Sequence, residues 1–450
     1  MKALLNNRGM AILAFGVLLV ISCLAAVYPT TFPVADKPYD AAMVGNIAWM
    51  LVASSLVLLM TPGLAFFYGG MVSKKNIIST MLQSFIALGV VSLLWYFVGF
   101  SLAFGDDWGG LGIIGNPATF FMFNNVGTAA HPTLGGGLPL VLFAAFQLKF
   151  AIITPALITG SFAERVRFWG YVVFINLFII FIYCPLAHMA WHPEGILFKK
   201  GVLDFAGGTV VHISAGIAAL AGSIVLGKRK ETGEMPVNIP FVILGTGLLW
   251  FGWFGFNAGS ALAANAMAIK AFVNTNLASA IAALTWIMVD TIKGKKPSAL
   301  GACIGAVVGL VAITPAAGYV NYGPSLFIGF AAALISNYGV VLFKKTGIDD
   351  TLDVFPCHGI GGISGMILTA IFATEGGKGL ITGETNLFVQ HLIALGIVIP
   401  FVFVMSYAMF KLTAIITPLR VGEDEELEGL DISQHDETIS IEPTALEPAY

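Results

Sequence analysis

Residues 206–227 read AGGTVVHISAGIAALAGSIVLG. The stretch holds no Asp, Glu, Lys or Arg, and His212 is its one ionisable group. As a helix it is about 33 Å long, enough to cross a bilayer core of about 30 Å. Composition extends the same reading to the whole chain. Of 450 residues, 57% are hydrophobic and 10% charged, with a mean hydropathy of +0.88, where a soluble domain carries about 25% charge. So few charges cannot cover a soluble globule of this size. A soluble enzyme, a disordered chain and a nucleic-acid binder are excluded, and a polytopic all-α membrane protein remains.

Working outward from 206–227, apolar runs between charged or Pro/Gly-rich breaks predict ten more spans. They lie at 42–70, 77–104, 138–163, 168–190, 239–258, 272–292, 298–316, 324–343, 355–373 and 388–418. Alternate connections carry Lys74, Lys75, Arg165, Arg167, Lys228, Arg229, Lys230, Lys293, Lys295, Lys296, Lys344 and Lys345, against Lys37, Lys199, Lys200, Lys270 and Lys378 on the opposite side. The positive-inside bias makes the first set cytoplasmic, so the first span runs inward and eleven spans leave the C-terminus inside a cell (inner) membrane. Residues 1–27 read as a signal peptide, with Lys2 and Arg8 ahead of an apolar run from Met10 to Val27. An uncleaved extra helix is the alternative. The membrane domain then covers 40–420, and an acidic cytoplasmic tail covers 421–450.

Intramembrane polar groups are costly enough to imply function. His212 follows Asp204 in DFAGGTVVH and His358 follows Asp353 in DVFPCHG. They sit in the fifth and tenth spans, equivalent places in two sets of five. Five is odd, so the second set enters the membrane inverted, and inverted repeats place a site at the interface of the halves. Two imidazoles meeting there would hydrogen-bond each other. Phe146 and Phe150 share a helix face, as do Phe256 and Ser260, and Trp191 ends the fourth span outside. Aromatic stripes are usually packing, and a terminal Trp usually interfacial. His131, His188, His192 and His391 read as solvated or capping groups, and Asp349 and Asp350 as a solvated acidic pair. Thr61-Pro62, Thr154-Pro155 and Thr314-Pro315 are kink candidates whose freed carbonyls the threonine hydroxyls can help satisfy, with packing and bending alone the reading for most of them. No catalytic motif, metal-ligand spacing or cofactor loop occurs, so neither an enzyme nor a metal or cofactor is expected.

The stretches PGLAFFYGG (62–70), GSFAERVRF (160–168), DFAGGTVVH (204–212), GWFGFNAGS (252–260) and DVFPCHG (353–359) together resemble the ammonium transporter (Amt/Mep/Rh) family, on its bacterial Amt side, in family order. The resemblance implies eleven helices in two inverted five-helix repeats plus a final helix, a homotrimer, and one pore per subunit. It assigns substrate recruitment to Phe146, Trp191 and Ser260, a phenyl gate to Phe150 and Phe256, twin pore histidines to His212 and His358, and an outer-mouth acidic role to Asp204. The implied substrates are ammonium and methylammonium. Ammonium over aromatic faces gains about 0.5–2 kcal/mol. Potassium gains similarly, so selection is expected deeper, where an apolar pore replaces no hydration shell and only ammonium can shed a proton and pass as ammonia. Lys149 departs from the pattern, beside Phe150 but about 100° round the helix. The tail has ten acidic residues and no Lys or Arg. Its segment 429–435 resembles the family's ordered tail, which supports docking of a cytoplasmic PII protein, and Glu428 and Asp431 are expected to meet basic turns. The alternatives are a sensor signalling through PII, and an Rh-type gas channel.

Overall fold

The computed structural model describes residues 7–232 and 236–439. Part of the predicted signal peptide (1–6) and the end of the tail (440–450) lie outside the described residues. Among the described residues the regular structure is helical, with only isolated bridges besides.

An N-terminal helix α1 (Asn7–Val27) precedes the bundle and is exposed along nearly all its length. Eleven helices follow, and each coincides with a predicted span. They are α2 (Ala41–Gly69), α3 (Ile77–Leu94, continued by Trp95–Gly99 and Phe100–Phe104), α4 (Leu140–Phe162) and α5 (Phe168–Phe178, continued by Ile179–Tyr183 and Cys184–Trp191). Next come α6 (Gly208–Leu226), α7 (Ile239–Gly259), α8 (Ala266–Ile292), α9 (Ala299–Ile313), α10 (Tyr322–Lys344), α11 (Phe355–Phe372) and α12 (Asn386–Ile416). Polar caps set several starts. Asp40, Asn238, Asn265 and Ser298 each accept a hydrogen bond from the backbone N–H three residues on. Two of the threonine hydroxyls bond to the preceding turn, Thr154 to Phe150 O and Thr314 to Leu310 O, which are not the carbonyls that Pro155 and Pro315 leave free. Thr61 does not, and its hydroxyl has no partner.

The first and the fifth helix of each repeat meet their equivalents in the other. α2 lies against α7 so closely that a Cβ at Gly245 would sit 2.3 Å from Phe67 N. α6 and α11, the fifth helix of each repeat, cross through glycine as well. A Cβ on Gly216 would stand 2.1 Å from Gly359 N, and one on Gly362 would stand 3.2 Å from His212 Cβ. Gly216 follows His212 by four residues, and Gly362 follows His358 by four. The crossing is therefore two-fold symmetric about the histidines, with the hydrophobic core built around it.

The tail is not merely a solvated end. Residues 423–435 form two short helices, α13 (Glu423–Glu428) and α14 (Leu430–His435), docked on the basic side. Asp431 accepts hydrogen bonds from Ile78 and Ser79 N–H at the start of α3, rather than meeting a basic turn. Glu425 pairs with Arg167, Glu426 with Arg420, and Glu423 with Lys230. Glu428, expected to form such a pair, is exposed and unpaired among the described residues.

Candidate functional site

Both histidine turns are built alike. Each lies where its helix opens into a wider turn, over Gly208–Ile213 and Phe355–Ile360, a local π geometry that frequently marks functional positions. A carboxylate caps each turn. Asp204 accepts hydrogen bonds from Gly207 N (2.8 Å), Gly208 N (2.6 Å), Thr209 N (2.8 Å) and the Thr209 hydroxyl. Gly207 has φ +116°, a conformation that favours glycine. In the second repeat the cap is Asp350, which accepts from Val354 N (3.1 Å) and Phe355 N (2.7 Å).

This corrects two expectations. Asp353 is not the counterpart of Asp204, since it turns to Lys344 at 3.3 Å. Asp350 is not solvated but 7% exposed, and burial pushes its pKa up to about 7 despite the two backbone donors. Asp204 precedes His212 by eight residues and Asp350 precedes His358 by eight. That equal spacing was the available signal, masked by the nearer Asp353. Asp349 is likewise engaged, held at 2.9 Å by Arg229, whose guanidinium also reaches Glu164.

The imidazoles of His212 and His358 face each other with Nδ1 atoms 3.3 Å apart. Two Nδ1 atoms at that distance share one proton, so one ring donates and the other accepts. The ring that donates through Nδ1 has an accepting Nε2, and the other ring has a donating Nε2. The pair thus offers one donor and one acceptor to a small polar molecule. Nε2 of His212 has no protein partner. Trp253 lies nearly parallel to His212 at 5.3 Å and is held by its indole N–H to Thr314. The stacking of Trp253 depends on facing helices that the sequence does not show.

Above the histidines, Phe150 and Phe256 lie with ring centroids 4.3 Å apart, and Phe256 is 6.0 Å from His212. Above these rings, on the side poor in Lys and Arg, opens a cavity of about 470 Å³ lined by Phe150, Trp191, Asp204 and Ser260 among others. Trp191 is fixed by its indole N–H to Asp204 O at 3.0 Å. Ser260 spends its hydroxyl hydrogen on Phe256 O, leaving its lone pairs free. Phe146 does not line this cavity; it is 1% exposed, edge-on behind Phe150 at 4.9 Å. The wall that α4 presents is instead Phe143, Gln147 and Phe150.

Below His358, a void of about 20 Å³ is walled by Phe67, Tyr68, Val307 and Cys357. That volume admits a molecule the size of water or ammonia. Met71, Ile304 and Leu352 separate it from a cavity of about 600 Å³ on the basic side, lined by Glu164, Arg229, Asp349 and Asp350 among others.

Two other histidines depart from expectation. His188 and His391 are fully buried rather than solvated. His391 accepts from Leu203 N and donates to Met366 O, while His188 lies against Asp107. Lys149 is half-buried, off the cavity wall, and unpaired among the described residues. Removing a charge that touches no pathway residue should change little, so Lys149→Met is expected to keep the KM for ammonium within about twofold of wild type. A large gain in affinity, read by uptake kinetics, would place its charge in the recruitment path.

The model of the family described as Ammonium Transporter Family matches residues 48–439. The ammonium transporter of Aquifex aeolicus is 47% identical over 398 residues, 87% of this chain and 92% of that protein. The crystal structure of Saccharomyces cerevisiae Mep2 superposes with a TM-score of 0.80 at 34% identity, covering 87% of this chain and 94% of that one. A structure titled "Sensor Amt Protein" superposes with a TM-score of 0.81 at 29% identity, covering 88% and 99%.

Proposed function

Since this chain belongs to the ammonium transporter family, we propose that it carries ammonium across a cell membrane, with methylammonium as a second substrate. The reading rests above all on one observation, the unbroken order of aromatic vestibule, stacked phenyl pair and facing imidazoles. Ammonium enters the outer cavity over the faces of Trp191 and Phe150, with Phe146 backing Phe150, and donates to the Ser260 oxygen. Burial beneath that site strips its water, which an apolar passage does not replace. Ammonium answers by giving a proton to water in the open outer cavity, and neutral ammonia passes the Phe150–Phe256 pair. The Nε2 atoms of His212 and His358 then offer it a hydrogen-bond acceptor and a donor. Asp204 keeps the turn and Trp191 in place, its oxygens already filled by backbone donors.

In the same reading the protein is a homotrimer with its C-terminus cytoplasmic. Residues 1–27 are a signal peptide, 40–420 the transport unit and 421–450 a regulatory tail that supports PII docking. Docked α13 and α14 tie the tail to the turns before α3, α5 and α7. Deleting 421–450 is therefore expected to lower uptake about fivefold or more, or to abolish control by PII; a deletion protein with normal, regulated uptake would refute this. Likeness to a structure titled as a sensor favours a second reading, in which bound ammonium signals. Current recording on proteoliposomes under ammonium, methylammonium and potassium gradients separates the two. Ammonium-dependent flux with no potassium current supports transport. Binding without flux supports the sensor.

A further inference from the structure

Gln147 stands in the wall of the outer cavity, one turn from both Phe143 and Phe150 on the vestibule face of α4. It is only 8% exposed. Its amide oxygen is buried with no hydrogen-bond partner, whereas its amide nitrogen, also without a bond among the described residues, is not buried and is the end that reaches the cavity. A buried amide oxygen with nothing to bond is costly, and such groups are uncommon in folded proteins. The rings on either side of it are held by packing that does not use the amide, Phe143 against Phe104 at 4.9 Å and Phe150 against Phe256 at 4.3 Å. The amide therefore does no structural work that its chemistry requires.

We propose that Gln147 is a substrate-contacting, specificity-determining residue whose amide oxygen accepts a hydrogen bond from ammonium in the outer cavity. This deepens the transport reading and rests on it. Rotation about the last side-chain bond exchanges the amide oxygen and nitrogen without breaking any protein bond, so the oxygen can turn to a cation. Ser260 contributes a second acceptor from α7, with its own hydrogen committed to Phe256 O. Two acceptors and the faces of Phe150 and Trp191 then suit a cation with four directed N–H bonds. Potassium has no such direction and gains nothing from an acceptor's angle. The mouth thus acquires a preference for N–H donors that aromatic faces alone do not give.

The test is uptake kinetics of the full chain in proteoliposomes with ammonium and methylammonium as probes. Gln147→Met preserves length and bulk but removes the acceptor. It is expected to raise KM for ammonium about tenfold, the scale of one hydrogen bond to a charged donor, with kcat within about twofold. Gln147→Glu keeps an acceptor and adds charge, and is expected to bring KM to wild type or below while strengthening inhibition by potassium. A purely structural glutamine would give the opposite pattern: Met tolerated, or both variants impaired in kcat with KM unmoved. KM within about twofold of wild type in Gln147→Met overturns the proposal. Should that variant not reach the membrane, a raised KM in Gln147→Glu overturns it alone. Wild-type liposomes without ammonium flux would instead strike the transport reading, which keeps the two failures distinct.

Discussion

The His212→Ala protein is expected to carry ammonium about tenfold to a hundredfold more slowly than wild type. The ring lies 1% exposed between Trp253 and His358, and it is one half of a pair that shares a proton. Its loss leaves Nδ1 of His358 without a partner in a dry site, a cost of about 1–3 kcal/mol. It also removes one of the two Nε2 atoms offered to the passing molecule. If that deficit falls on the transition state for passage, each 1.4 kcal/mol is a factor of about ten in rate. The space left beside the Trp253 indole lies next to unpaired polar atoms, so water is expected to enter and potassium exclusion to weaken. Uptake, potassium current and the pH dependence of flux should therefore change together. A variant unchanged in all three would remove the imidazoles from the mechanism.

Gly216→Ala is expected to be nearly as damaging, although alanine is the better helix former. The added carbon would meet Gly359 N at 2.1 Å and Gly359 Cα at 2.3 Å, and neither is a side chain that can rotate away. Relief requires α6 and α11 to separate, which moves both histidines. Forced overpacking costs about 1–3 kcal/mol or more, seen as a lower melting midpoint in detergent and a loss of most uptake. Gly362→Ala is the control from the same crossing. Its Cβ would meet Ile213 Cγ1 at 3.0 Å and Gly208 O and His212 Cβ at 3.2 Å, tight contacts that need shifts of a few tenths of an ångström rather than the overlap at Gly216, so its loss should be several-fold smaller. Equal tolerance of both substitutions would show that the crossing does not set the spacing of the pair.

Much of this architecture was legible in the sequence, because a bilayer writes its demands into long uncharged runs. A helix lies at each of the eleven predicted spans, although α9 has only 15 residues, and the facing of His212 and His358 follows from their equivalent places in two odd-numbered sets. What remained hidden depends on which faces meet. Gly216 is one of 52 glycines, and nothing local distinguishes it. Phe146 and Phe150 share a stripe in sequence, yet α4 turns Phe143, Gln147 and Phe150 to the cavity and Phe146 behind them. His188 and His391 find partners 81 and 188 residues away, on elements no local pattern links to them. Asp350 was readable from its offset to His358, but proximity favoured Asp353.

Carriers built from inverted repeats commonly work by rocking one repeat against the other around a central site. In this protein the repeats touch backbone to backbone at Gly216 and Gly359, one turn or less from both imidazoles. A joint that close leaves no slack at the midplane. On the transport reading, passage between the two cavities then calls for movement of the rings and side chains that separate them, Phe150, Phe256, Met71, Ile304 and Leu352, rather than for a wide parting of α6 from α11.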